Sequence, residues 1–439
     1  MTYNLFEGIL LIVLIVSLVI KIPIHMINKS FVLLLLVAIL FFDFSQLENS
    51  GWEIFFKVLC LIFGLIFINS TSNKEMSSSE ILILSVALAS SLMVSASNFL
   101  ALYLCLELQS LSIFILIGRK RNSINKIEAS LKYFVLSSIS SGLFLLGSAL
   151  IFVTTGSCDF IPFSSEGAVV EGVLVLIALL FKLAASPFHF WTPDVYQGSD
   201  NRSLLVLGVL PKISVFSILV YMYPHNKLIL IATVLSLLIG CVGAINQSIL
   251  KRLLGYSSIL AIGFALLSFS LGTFKGYEGS IIYLVIYLIT FCAIIIAFRH
   301  ITNENTLIVE LSNFLTSNKS VTMIFALCIL SMAGIPPLGG FLAKWFVLSA
   351  AINAGLILVS ILSILCAMIA GVYYLRLVKI TYFEYGKSFL MWKKILVSRY
   401  DNPGFTGIVL GVISYFLIFL LLLPQLVFHI AHSGTITLF

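Results

Sequence analysis

The stretch Ile177-Ala-Leu-Leu-Phe-Lys-Leu183 is the most informative part of this chain, because it places Lys182 inside a segment otherwise suited to lipid. Lys212 and Lys344 lie in comparable apolar stretches, and Glu107 is an acidic residue in the same kind of setting. A charge at the centre of a membrane helix costs roughly 2.5–3.5 kcal/mol on insertion scales, so four of them oppose insertion by on the order of 10 kcal/mol. Such charges usually mark a path for ions or protons.

The composition predicts an all-α polytopic membrane protein. Of the 439 residues, 60% are hydrophobic and 10% are charged, whereas soluble domains are about one-quarter charged. The apolar runs are continuous and do not alternate, which argues against a membrane β-barrel. No loop is long enough to hold a soluble domain, so we expect residues 1–439 to form a single membrane domain.

Apolar stretches of about 20 residues can cross a bilayer as helices, and we count fourteen, numbered here as spans 1 to 14. Their predicted bounds are 4–22, 30–44, 54–69, 80–97, 99–118, 127–153, 169–190, 203–222, 227–246, 254–272, 280–298, 321–350, 354–380 and 406–428.

The basic residues are distributed unevenly between the loops. Of the 25 Lys and Arg, 18 fall in odd-numbered loops, and four fall inside spans (Lys132, Lys182, Lys212 and Lys344). The three assigned to the even-numbered side are Lys57, Lys227 and Lys275. The positive-inside rule then places the odd loops on the cytoplasmic or matrix side and both termini on the other side. Because the charges are spread over separate loops, a nucleic-acid surface is not predicted.

Proline interrupts the backbone hydrogen bonding of three spans, because each proline leaves the carbonyl four residues earlier without its usual partner. The prolines are Pro187 in span 7, Pro211 in span 8 and the pair Pro336-Pro337 in span 12. The pair lies two turns before Lys344 and releases the carbonyls of Met332 and Ala333. Free carbonyls at membrane depth persist only inside protein or against a water-filled cavity. Spans 7 and 12 lie five spans apart, and interrupted helices at matching places indicate an inverted-repeat transporter.

The buried lysines have two structural explanations, an ion pair or snorkelling to the interface. Apolar residues on both sides argue against snorkelling, and Glu107 cannot pair with every lysine. A lysine whose carboxylate neighbour moves closer or further away can instead load and release a proton.

Two further candidate site residues each have a structural and a functional explanation. Lys132 follows Glu128 by one turn, so a local salt bridge competes with a functional role. His189 follows Pro187 near the end of span 7, where it is either an interfacial hydrogen-bonding group or a proton relay.

Several classes of function are not indicated. The seven cysteines are scattered without a Cys-x-x-Cys pair, so neither an iron–sulfur nor a zinc site is predicted. There is also no P-loop and no dinucleotide-binding motif. The energy that drives this chain is therefore expected to arrive from elsewhere.

Two segments, Phe181–Gly198 and Leu330–Trp345, closely resemble the signatures of the antiporter-like membrane subunits of respiratory complex I. Supporting likeness lies in Leu106–Leu111, Glu128–Phe134 and Lys251–Ser258, and the resemblance runs from about residue 80 to 385. Within this family the chain is most similar to the subunit 2 branch (subunit N in bacteria). The subunit 4 branch would carry a glutamate in place of Lys344, and the subunit 5 branch is much longer.

The resemblance implies about 14 transmembrane helices, with two inverted five-helix repeats and broken helices 7 and 12. It divides the chain into helices 1–3 (1–78), a first repeat (79–222), a second repeat (227–380), and a loop with the last helix (381–439). It also implies roles for six residues: Glu107 and Lys182 as a modulating pair, Lys212 as the central relay, Lys344 as the exit-side site, with Lys132 accessory and His189 a further relay candidate.

For function, the resemblance implies a proton-translocating subunit of NADH:ubiquinone oxidoreductase, an enzyme complex, driven by quinone reduction in partner subunits. The partners would be other complex I membrane subunits, especially subunit 4 and the small ones, within a lipid bilayer. NADH, FMN, iron–sulfur clusters and ubiquinone would belong to those partners and no cofactor to this chain. A stand-alone or Mrp-type cation/proton antiporter subunit is the alternative. The 36 phenylalanines suggest an A/T-rich genome and favour the mitochondrial inner membrane over a bacterial cytoplasmic membrane.

Overall fold

The computed structural model describes residues 47–69, 78–119, 123–160, 169–222, 226–299, 307–313, 319–383, 404–422 and 424–436. Within these ranges the chain is helical apart from turns and two isolated β-bridges. Spans 1 and 2 of the prediction lie outside the described residues.

Spans 3 to 14 each coincide with helical structure. In chain order the helices are Leu47–Asn69, Ser78–Val94, Phe99–Gly118, Ile124–Thr155, Val169–Leu183 with Trp191–Gly198, Asn201–Met222, Asn226–Ile245, Leu250–Phe269, Phe274–Arg299, Lys319–Ala333 with Gly339–Asn353, Ile357–Tyr382, and Gly404–Leu422 with Gln425–Ile436; a short 3₁₀ helix covers Ile308–Asn313. Among the described helices, seven are long and apolar enough to cross a membrane, namely those of spans 5, 6, 8, 9, 10, 11 and 13.

The break in span 7 follows from a tight helix end. The first helix stops at Leu183, seven residues before the predicted end, and Ala184 adopts a left-handed backbone with φ of 63°. The Ala185 N–H donates to the Leu180 carbonyl at 3.0 Å, which closes the last turn. Pro187 cannot continue the helix, so the chain resumes at Trp191.

The break in span 12 has the same local geometry. The helix ends at Ala333, Gly334 has φ of 85°, and the Ile335 N–H donates to the Leu330 carbonyl at 3.3 Å. Glycine suits this position because it pays no steric cost at positive φ. Ala184 and Gly334 therefore occupy equivalent positions in the two breaks.

Two other prolines have different outcomes. Pro211 lies inside the continuous helix Asn201–Met222, so the span 8 helix continues past this proline. Tertiary packing explains this, because every residue of the most apolar window of that helix is buried. Span 14, predicted as one helix, is instead two, and Pro424 precedes the second one.

The two β-bridges occupy matching places in the chain. Asn98, just before the span 5 helix, bridges Asp159 after span 6. Ile249, just before the span 10 helix, bridges Leu307 after span 11. Each bridge therefore ties the start of one helix to the loop that follows the next helix.

The chain forms two compact units. The first contains the described residues up to Trp191, together with Gly198–Leu228 and the residues from Ile430. The second contains Thr192–Gln197 and Ile229–His429. In the first unit the span 8 helix is the buried core, and in the second the helices of spans 10 and 11 are almost wholly buried. Lys57, counted above with the even-numbered loops, lies within the helix Leu47–Asn69 and is buried.

Candidate functional site

Lys344 lies at the break of span 12 and is held by the backbone. Its Nζ donates to the carbonyl oxygens of Met332 at 3.0 Å and Ala333 at 2.8 Å. These are the two carbonyls that Pro336 and Pro337 were predicted to release, and in the structure both accept hydrogen bonds from Lys344. The side chain is 8% exposed, and its Nζ lies 5.7 Å from the centre of the Phe264 ring.

Two bonds to carbonyls leave room for proton chemistry at Lys344. An ammonium has three N–H donors, and among the described residues two acceptors engage them. The amine that remains after loss of one proton keeps two N–H groups, enough for both carbonyls. Lys344 can therefore release and regain its third proton while both hydrogen bonds persist.

A cavity adjoins this lysine within the second unit. Its volume is about 20 Å³, and a cavity needs about 10–15 Å³ to hold one water molecule. Its lining is partly apolar, but it includes three tyrosines, two serines and a threonine beside Lys344: Ser257, Tyr283, Tyr287, Thr290, Ser331 and Tyr374. The predicted polar break with room for water is thus present at Lys344.

Glycine packing fixes the two halves of span 12 against each other. The Gly340 N–H donates to Ser331 Oγ at 3.1 Å. A Cβ on Gly340 would lie 2.7 Å from the Ser331 carbonyl carbon. A Cβ on Gly334 would lie 2.9 Å from Lys344 Cδ. Small residues permit such close approaches between membrane helices.

In the first unit, the buried Lys182 lies within electrostatic reach of an acidic residue, Glu107. Lys182 is 9% exposed, and its Nζ has no hydrogen-bond partner among the described residues. The Glu107 carboxylate attracts it electrostatically but lies beyond the 4.0 Å of a salt bridge. Ser110 Oγ lies 3.4 Å from Glu107 Oε2. The structure therefore brings the acid and the lysine into electrostatic reach without direct contact.

Aromatic side chains position the segment around Lys182. Trp191 Nε1 donates to the Phe181 carbonyl at 3.1 Å, which joins the two sides of the span 7 break. Tyr133 packs edge-on against Trp191 with ring centres 5.4 Å apart. His189 is 7% exposed, and its ring centre lies 4.6 Å from that of Phe190. His189 thus lies on the same broken segment as Lys182.

Lys212 occupies the buried core of the first unit. It is 3% exposed within the span 8 helix, directly after Pro211. Two residues later in the same helix, Ser214 accepts a hydrogen bond from Gln109 Nε2 at 3.2 Å. Polar side chains of spans 5 and 8 therefore meet in this part of the buried core.

Lys132 has a different environment from the other lysines. Its side chain is 43% exposed and forms a salt bridge with Glu128 at 2.7 Å, one turn earlier on the same helix. The structural alternative raised from the sequence is thus what the structure contains, and an accessory role stays a prediction.

Sequence reasoning missed a buried charged cluster in the first unit. Glu80 is 0% exposed in the first turn of span 4, and Arg202 lies within electrostatic reach of Glu80 and Asp200. Lys126 forms a salt bridge with Asp200. These residues sit at helix ends, where the sequence gives no reason to expect burial. The tyrosines of the cavity were missed too, although Tyr283 and Tyr287 are spaced by four residues, which puts both on one helix face.

Metal chemistry is not indicated by the described residues, which contain no group of three His, Cys, Asp or Glu placed to hold an ion. The charged side chains that they bring into the buried interior are mostly lysines. An arrangement of this kind can hold, accept and release protons.

Comparison with known proteins gives a consistent result. Residues 96–370 match the family model "NADH:quinone oxidoreductase/Mrp antiporter, TM". NADH-ubiquinone oxidoreductase chain 2 of Metridium senile is 41% identical over 376 residues, covering 82% of this chain and 97% of the relative. Subunit N 1 of the NADH-quinone oxidoreductase of Acidiphilium cryptum is 39% identical over 317 residues, covering 67% and 66%. A chain in the structure of respiratory complex I from Thermus thermophilus superposes with a TM-score of 0.85 at 26% identity, covering 98% of this chain and 99% of that one.

Proposed function

This chain belongs to the NADH:quinone oxidoreductase/Mrp antiporter membrane family, and we propose that it translocates protons as a membrane-arm subunit of an NADH:ubiquinone oxidoreductase. The observation that carries the proposal is Lys344, a buried amine held by two backbone carbonyls beside a polar cavity. That geometry lets one proton leave and return without rearrangement of the side chain.

The first unit supplies a second proton-binding lysine with a nearby counter-charge. Because Glu107 attracts Lys182 without contacting it, a small displacement of either side chain changes their Coulomb energy appreciably at low dielectric. Approach of the carboxylate favours the protonated lysine, and withdrawal favours release. We assign Glu107 and Lys182 as the modulating pair, Lys212 as the central relay and Lys344 as the exit-side site.

The energy would come from quinone reduction in partner subunits, which would hold the NADH, FMN and iron–sulfur clusters. Subunit 4 and the small membrane subunits of the complex are the proposed neighbours. Similarity to NADH-ubiquinone oxidoreductase chain 2 of Metridium senile, over 97% of that relative, supports the mitochondrial inner membrane as the location.

We also propose the complete fourteen-helix arrangement with two inverted five-helix repeats. The matching features support it: helix ends at Ala184 and Gly334, and bridges at Asn98 and Ile249. Each pair is separated by about 150 residues of sequence, as a repeat of 79–222 in 227–380 requires.

The test replaces Lys182 or Lys344 by Met, or Glu107 by Gln, in the assembled complex. We expect proton pumping per NADH oxidised to fall strongly while assembly, followed on native gels, is kept. Lys227→Met removes an exposed lysine at the start of span 9 and serves as the matched control. Normal pumping by the assembled Lys182 and Lys344 variants would show that the relay assignment is wrong.

The same family model also covers Mrp antiporters, so a cation/proton antiporter subunit remains the competing function. Purification distinguishes the two. A complex I subunit copurifies with flavin and iron–sulfur proteins, whereas an antiporter subunit does not.

A further inference from the structure

Three tyrosines line the cavity beside Lys344, and the proton relay assigned above does not use them. Tyr283 and Tyr287 come from the span 11 helix, and Tyr374 comes from the span 13 helix. All three are buried, with exposed fractions of 7%, 6% and 3%. Burying a hydroxyl in an apolar setting costs free energy unless it finds a partner, and phenylalanine would supply the same ring without that cost.

The hydroxyls have polar neighbours that extend the cavity in two directions. The Tyr374 hydroxyl faces that of Ser257, which also lines the cavity. The Tyr287 hydroxyl faces that of Ser258.

The serines can accept hydrogen bonds from the tyrosines, while their own protons are directed to backbone carbonyls. Ser257 donates to the Leu254 carbonyl at 2.8 Å, and Ser258 donates to the Gly255 carbonyl at 2.7 Å. Once its proton is used in this way, a serine oxygen still has lone pairs that accept from a tyrosine. The described residues that line this cavity include no carboxylate and no histidine, so hydroxyls and water are the proton carriers available beside Lys344.

We propose that Tyr283, Tyr287 and Tyr374 form a hydroxyl relay that carries protons between Lys344 and the rest of the second unit. This inference rests on the proposed function of Lys344. In each step a hydroxyl accepts a proton from one neighbour and donates its own to the next. Every phenol is therefore neutral before and after transfer, and the moving proton ends on, or starts from, the Lys344 amine.

The test replaces the three tyrosines by phenylalanine, singly and together, in the assembled complex. A positioned proton-transfer group contributes about 10²–10⁴ in rate. Because cavity water can replace part of that, we expect the triple variant to pump roughly tenfold more slowly. Each single variant should show a smaller loss.

The matched control is Tyr277→Phe. Tyr277 lies on the same span 11 helix and is 2% exposed, but it packs edge-on against Phe269 outside the cavity lining. We expect its pumping to be unchanged. An equal loss in this control would assign the effect to packing and overturn the relay.

Lys344→Met, measured in parallel, separates this inference from the proposed function. If Lys344→Met stops pumping and the triple variant pumps normally, the relay is wrong and the function of Lys344 stands. If Lys344→Met pumps normally, the proposed function fails. If the triple variant does not assemble, the single variants decide, since each removes one oxygen atom and keeps the ring.

Discussion

Gly340→Ala is the substitution that most directly tests the geometry of the broken span 12. The new Cβ would lie inside contact distance of the Ser331 backbone, 2.7 Å from its carbonyl carbon. Backbone on both sides leaves no flexible side chain to yield, so the two half-helices must separate.

The cost can be worked out from three contributions. Overpacking costs typically 1–3 kcal/mol, and weakening the bond from the Gly340 N–H to Ser331 Oγ adds about 1 kcal/mol. Replacing Gly by Ala in a helix returns up to about 1 kcal/mol. The net loss is about 1–3 kcal/mol, which lowers a melting temperature by roughly 2–12 °C for a unit of about 200 residues.

The assay is the thermal denaturation midpoint of the detergent-solubilised complex, together with NADH-driven pumping. Pumping should fall as well, because Lys344 lies one turn beyond Gly340 and would move relative to Met332 and Ala333. Gly371→Ala is the matched control, since a Cβ there meets nothing within 4 Å. If Gly340→Ala is as stable and as active as Gly371→Ala, the reasoning from close packing is refuted.

The remaining predictions concern the helix ends and a pair of thiols. Ala184→Gly should raise the thermal denaturation midpoint, because glycine relieves the roughly 1–2 kcal/mol cost of a left-handed backbone. For the same reason Gly334→Ala should lower the midpoint. A fall with Ala184→Gly would contradict this geometry. Cys241 and Cys366 lie with their sulfur atoms 3.5 Å apart, so a membrane-permeant oxidant should link spans 9 and 13 within one chain. Mass spectrometry of the digested protein would detect that link, Cys241→Ser is the control, and a failure to form any link would contradict the packing of these two spans.

Much of the fold could be read from the sequence because lipid imposes a strict rule on length and polarity. Spans 3 to 14 were each located, and the broken spans 7 and 12 were found from their prolines. Counting four residues back from Pro336 and Pro337 gave the released carbonyls, and the structure showed that both accept hydrogen bonds from Lys344. The prediction failed for span 14, where a single apolar run concealed the break at Pro424. Hydropathy records burial in lipid but does not register the local loss of one N–H.

The site divides in the same way. The sequence identified Lys182, Lys212, Lys344 and Glu107, because a charge in an apolar run is costly wherever the chain folds. For Lys132 it raised a local salt bridge with Glu128 as the alternative, and the structure contains that salt bridge on an exposed side chain. It could not find the buried cluster around Glu80, since burial of a helix end depends on what packs against it.

By itself, then, the sequence determined the placement of the helices of spans 3 to 14, the breaks in spans 7 and 12 and the cost of the buried charges, because these depend on the chemistry of consecutive residues. Tertiary structure alone decided which groups surround each charge. It set Glu107 within electrostatic reach of Lys182 without contact, and it placed Tyr283, Tyr287 and Tyr374 around one cavity at Lys344. Those residues lie far apart in sequence, and only the packing of helices against one another brings them together.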